Sequence, residues 1–158
     1  MRRFISFAFV AAAACTSTAN VAGDYTVAVT NRDNGCGFAG WTVGAQTTNV
    51  QVTITQSGNG ITGIVMGGGG FILDAVIGTH TFAGTVSGDK IDMKATGSKT
   101  NMQGNCTYTV NGDITGVSSG DVLMGSIDYT GQGNGMTDCA GITGCLSFQD
   151  YNGTRPPA

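Results

Sequence analysis

One histidine, ten aspartates and five cysteines are the residues of this chain suited to acid–base, metal or nucleophilic chemistry. Hydrolysis by acid–base catalysis needs two carboxylates, or a carboxylate and a histidine, converging on one bond. His80 stands alone at the start of an apolar stripe with Phe82 and Val86, where a histidine reads as structural or merely exposed. Asp89, Asp113, Asp121 and Asp138 are scattered singly through turns and polar faces, and no spacing favours a pair. A hydrolase would require several of these aspartates gathered with His80 in one cleft. The cysteines contain no Cys-x-x-Cys pair, which speaks against zinc. Asn31-Arg32-Asp33-Asn34-Gly35 opens like a calcium loop but lacks its later acidic ligand. The glycines at 67–70 are not followed by the Lys-Ser or Lys-Thr of a phosphate loop. The expectation is a non-enzymatic protein without metal or cofactor.

The cysteines say more about address. Cys15 follows Ala12-Ala13-Ala14, behind Arg2, Arg3 and a largely apolar run over residues 4–14. A positive start, a short apolar stretch and small residues make a secretory signal. Spanning a bilayer takes roughly 20 apolar residues, more than this run supplies. The segment resembles a bacterial lipobox, in which the cysteine becomes the lipidated first residue, with Ala12 where leucine is commonest. The sequence thus predicts a signal peptide over 1–14, lipidation at Cys15, a tether over 15–23 and a single domain over 24–158. Ordinary cleavage after Ala14 or Ala19 is the alternative. The implied location is a bacterial cell envelope, periplasm-facing or at the cell surface, with a membrane surface as partner through the lipid. Cys36, Cys106, Cys139 and Cys145 remain, and an even number in an oxidising compartment predicts two disulfides.

Losing Arg2 and Arg3 takes the formal charge from −3 to −5. No cluster of Lys and Arg is left to neutralise phosphates, which excludes nucleic acid as a partner. Glutamate is absent and alanine sparse after residue 45, while threonine, glycine and valine abound. Strong helix formers are missing and β-branched residues plentiful, so the chain reads as all-β.

Short alternating stripes recur, such as Tyr25, Val27 and Val29, or Val50, Val52 and Ile54, or Ile91, Met93 and Ala95. Between them stand turns of a polar residue, glycine, then Asn or Asp, including Ser57-Gly58-Asn59 and Ser87-Gly88-Asp89. Seven strands are clear, eight if residues 71–77 form one. Sequential hairpins with one apolar face predict an antiparallel up-and-down meander of about eight strands closing into a barrel, with a β-sandwich as the alternative. Residues 71–77, flanked by glycines, read either as a strand or as a short helix over one barrel mouth. The last strand is expected to turn Leu146 and Phe148 inward. The second face of the strands is Thr, Asn, Asp, Lys and Gln, unlike the lipid-facing side of a membrane barrel. In a closed barrel Cys145 opens the last strand beside the exit of the first, near Cys36, and Cys106 lies across its hairpin from the loop carrying Cys139. That topology favours Cys36–Cys145 and Cys106–Cys139, with Cys139–Cys145 as the rival pairing.

In general build the chain resembles the small lipocalin-like barrels among exported bacterial lipoproteins. The likeness covers residues 24–157 and rests on hairpin style, on Gly40-Trp41 near the first strand and on the stretch from Gly144-Cys145 to Pro156-Pro157. It implies a small apolar ligand inside the barrel but carries over no site residues. From their place in the chain Trp41, Phe71, Leu73 and Phe82 are expected to face such a ligand, with Trp41 read alternatively as an aromatic plug filling the core. The competing expectation is a packed, ligand-free barrel acting as a structural or surface-interaction module through loops 31–48 and 131–144.

Overall fold

The computed structural model describes residues 18–156. The expected signal peptide and Cys15 lie outside them. Eight antiparallel strands close into a barrel: β1 (Gly23–Asn34), β2 (Gln46–Ser57), β3 (Gly60–Val65), β4 (Thr81–Ser87), β5 (Lys90–Ala95), β7 (Cys106–Ser119), β8 (Val122–Gly133) and β9 (Leu146–Thr154). Each pairs with the next, β5 pairs with β7, and β9 returns to β1. A short extra strand, β6 (Asn101–Gln103), pairs with the start of β7 outside the ring. The barrel reaches eight strands without residues 71–77, which belong instead to helix α1 (Gly67–Val76).

The turns explain why the meander forms. Gly58-Asn59, Gly88-Asp89 and Gly120-Asp121 each fill a two-residue hairpin at the same barrel end, with glycine φ of 59°, 61° and 61°. A left-handed residue at the first central position followed by an ordinary one is what a type II′ turn needs, and it matches the twist of the flanking strands.

That end is the closed floor. Val21 is fully buried, and residues 18–22, expected as tether, are strapped across the hairpins. The Ala19 amide donates to the Gly88 carbonyl (2.8 Å), and the Val21 amide to Gln56 Oε1 (2.8 Å). Arg155 donates to the carbonyls of Asn20 and Ala22 and to Asp121 (2.9 Å), and lies over the ring of Tyr25. Tyr25, Ile61 and Val86 complete the packed lower core.

The opposite end carries the covalent staples. Cys36–Cys145 joins the exit of β1 to the residue before β9, and Cys106–Cys139 joins the start of β7 to the loop after β8. Both bridges follow the favoured pairing. One expectation fails: Leu146 is 47% exposed, and Ser147, Gln149, Tyr151 and Gly153 take the inward positions in place of Leu146 and Phe148. Strand side chains alternate strictly, and a one-residue error flips the whole strand. Asp150 and Asn152, which an apolar interior rejects, fix the parity.

Candidate ligand cavity

Above the packed floor the interior is not filled. An apolar cavity of about 190 Å³ lies beneath α1. An interior space of about 150 Å³ lined by aliphatic and aromatic side chains already suffices to hold a benzene-sized molecule. Val27 and Val29 of β1, Val50, Val52 and Ile54 of β2, and Val65 of β3 form one wall. Phe82, Ile91, Met93, Ile114, Leu123 and Ile127 form the other. Inward glycines shape the space. At Gly63 a methyl would come within 2.8 Å of Met93 Cε, and at Gly112 within 3.1 Å of the Phe82 ring. The ring of Tyr151 reaches over Gly125 and Gly116, its neighbours across β8 and β7.

A bulge on β2 adds to the lining. Val27 pairs with Val50 but Val29 with Thr47, and Asn49 absorbs the shift in the left-handed region (φ 60°). Asparagine tolerates that conformation better than most residues. Thr47 and Val50, three apart, consequently both face the cavity.

Helix α1 is the roof. Glycine is the poorest helix former after proline, so four glycines in the first turn give this helix little intrinsic support. Contact supplies the reason for them. A side chain at Gly70 would collide with the Val65 carbonyl, and Gly69 sits 3.2 Å, measured from an added methyl, from Val50 and Val65. Leu73 and Ile72 then line the cavity, although Ile72 remains 63% exposed. The C-terminal end is clamped: the amides of Ser98 and Lys99 donate to the Ile77 carbonyl, and Asn101 Nδ2 donates to Val76 (3.0 Å). Gly78, at φ 92°, ends the helix in the left-handed conformation usual after a C-cap.

The polar lining is small and neutral. Tyr129 donates its hydroxyl to Gln149 Oε1 (2.8 Å), and Gln149 Nε2 donates to Asn31 Oδ1 (2.7 Å). Asn31 passes the chain on to the Thr42 carbonyl. Burial raises the pKa of the Tyr129 hydroxyl well above the ordinary tyrosine value and pushes Tyr151 up to about 12, so both stay protonated.

Of the residues expected to face a ligand, Leu73 and Phe82 line this cavity. Phe71 points outward, 76% exposed. Trp41 packs edge-on against Tyr129 (6.0 Å) and beside Phe38, with its indole N–H donated to the Arg32 carbonyl, behind the wall rather than in it. Thr47, Ile72, Gln149 and Tyr151 also line it, and nothing in their local sequence marks them as ligand-facing except the parity of β9. For Gln149 and Tyr151 that signal is their alternation with Asp150 and Asn152.

Comparison with protein-family models, curated proteins and solved structures gives no match. Chemistry must therefore be read from the residues themselves. His80 does have a partner, since its Nδ1 lies 2.8 and 2.9 Å from the carboxylate oxygens of Asp74. An oriented histidine becomes a general base only with something to deprotonate. Among the described residues no serine, threonine or cysteine is hydrogen-bonded to the ring. The other aspartates are spread over the outer surface: Asp113 pairs with Lys94, Asp121 with Arg155, Asp150 with Arg32, and Asp138 accepts from the Asn105 amide. Among the described residues no group of three His, Cys or Asp side chains is placed to hold a metal ion. Asn31 and Asn34, from the faint calcium-loop pattern, tie down the 35–45 loop instead.

Proposed function

We propose that this chain is an exported, lipid-anchored protein of the bacterial envelope that binds one small apolar molecule inside its barrel and performs no catalysis. The observation that carries the reading is the unfilled apolar cavity, roofed by a helix whose first turn is glycine. An apolar space stabilises an apolar guest by removing its surface from water. Two disulfides in one small domain accord with an oxidising, non-cytoplasmic compartment. No described helix is long and apolar enough to cross a membrane, and the lipobox-like Cys15 is the proposed means of attachment.

Native mass spectrometry of the protein extracted from its own envelope tests both halves. The expected spectrum contains a diacyl-type mass increment at Cys15 and a non-covalent adduct released on activation. A chain that begins after Ala19 without lipid overturns the anchor. A bare barrel that also takes up no added alcohol or alkane overturns binding, and leaves a structural module in its place.

A further inference from the structure

The cavity also limits the charge of what it can hold. Among the described residues no Lys, Arg, His or Asp lines it; its polar side chains are Thr47, Tyr129, Gln149 and Tyr151. Of the cations near the lining in sequence, Arg32 pairs with Asp150 (2.6 Å), Lys94 with Asp113 (2.9 Å) and Arg155 with Asp121 (2.9 Å) below the floor, while Lys90, next to Ile91, is exposed on the outer face of β5. The arrangement is also lopsided. Thr47, Gln149 and Tyr151 sit opposite or beside Val29 and Asn31, on β2, β9 and β1. The far wall, on β4, β5 and β7, offers only Phe82, Ile91, Met93 and Ile114.

We infer that the cavity selects an uncharged amphiphile: an apolar chain or ring carrying a neutral oxygen, such as an alcohol, ester or ketone. Its polar atom meets the Gln149–Thr47 side and its apolar body the wall made by β4, β5 and β7. This rests on the ligand-binding reading above. Gln149 spends one amide hydrogen on Asn31 and accepts from Tyr129, which leaves its second amide hydrogen for an incoming oxygen. A carboxylate of the same shape would enter without a counter-ion. Stripping an ion of water is repaid only by a charged partner or several charge-assisted hydrogen bonds, and the lining supplies neither. The two buried phenols, both held protonated, add no charge of their own.

Calorimetric titration of the delipidated full chain with octan-1-ol and with octanoate, at pH 8, separates the possibilities. The expected result is saturable binding of the alcohol and binding of the anion weaker by about 100-fold or more. Thr47→Arg, at an exposed position on the cavity rim, is expected to recover most of the octanoate affinity by supplying the missing cation. Gln149→Leu is expected to weaken the alcohol about tenfold relative to a matched alkane. Equal affinity for alcohol and anion overturns the charge selection and leaves the binding reading standing. Failure of alcohol, alkane and anion alike overturns the binding reading, and this inference with it.

Discussion

His80 Nδ1 lies between the two carboxylate oxygens of Asp74, at 2.8 and 2.9 Å, and this pair ties the last turns of the roof helix to the strand that follows it. Asp74 belongs to α1 and His80 precedes β4, with the left-handed Gly78 between them. Both side chains are more than 40% exposed, so water screens the pair and its share of global stability is small. Its leverage is local, because beside the clamp on the Ile77 and Val76 carbonyls it is a side-chain tie between the helix and the approach to β4. Asp74→Ala is expected to shift the melting temperature by no more than about 2 °C. Hydrogen exchange of the α1 amides should nevertheless accelerate several-fold, with the strands unchanged. Uniform acceleration across the barrel would show the pair to be part of the core fold instead.

Filling the cavity should separate binding from folding. Val52 lines the space on β2 and is paired with Tyr25 and Val65. In a close-packed core, Val52→Phe would strain its neighbours by about 1–3 kcal/mol. Here the ring has an empty space to enter, and the lost void offsets the strain. The expected outcome is a melting temperature within a few degrees of wild type and ligand affinity reduced at least tenfold. A large loss of stability would show that the space is already tightly closed around Val52.

Much of this architecture is legible in the residues, and the exceptions share a cause. Ser57-Gly58-Asn59 and Ser87-Gly88-Asp89 state their turns locally, because a left-handed residue is a property of one glycine. The disulfide pairing follows once closure is assumed, since closure alone brings Cys36 beside Cys145. Helix α1 is different: its glycines argue against a helix, and only the close approach of Gly69 and Gly70 to Val65 makes them necessary. The parity of β9 runs against local hydropathy, since Leu146 and Phe148 are more apolar than the inward Ser147 and Gln149. The cavity itself cannot be read from composition, as the same Val and Ile residues either fill a barrel or line one.

Alkaline titration should expose the buried phenols. Burial raises Tyr151 to about 12 and raises Tyr25 and Tyr129 as well, with Arg155 partly opposing the rise at Tyr25. For a tyrosine the neutral form is favoured by folding, so this stability is complete below the unfolded value near 10. It is lost as pH rises from 10 towards 12. A shift of two units corresponds to about 2–3 kcal/mol for Tyr151 alone. Tyrosinate absorbance should therefore show part of the four phenols ionising only with cooperative unfolding above pH 10. Smooth ionisation of all four near pH 10, with the fold intact, would contradict the burial of these side chains.

The two bridges differ in what they enclose, and their removal should differ accordingly. Cys36–Cys145 spans 109 residues and closes the chain across the β1–β9 seam, whereas Cys106–Cys139 spans 33 within adjoining hairpins. On the loop-entropy account the longer bridge restricts the unfolded chain by about 4.8 kcal/mol and the shorter by about 3.7 kcal/mol. The difference of about 1 kcal/mol is the quantity to measure, because errors in the absolute values largely cancel. Replacing each pair by serines should lower the urea midpoint in both variants, further in Cys36→Ser/Cys145→Ser. Local losses would enter on the other side. Cys139 is almost fully buried and Cys106 wholly so, while Cys145 is only half-buried, so serines at 106 and 139 place more polar surface in the core. If the shorter pair proves the costlier, burial of sulfur rather than chain closure governs the staple.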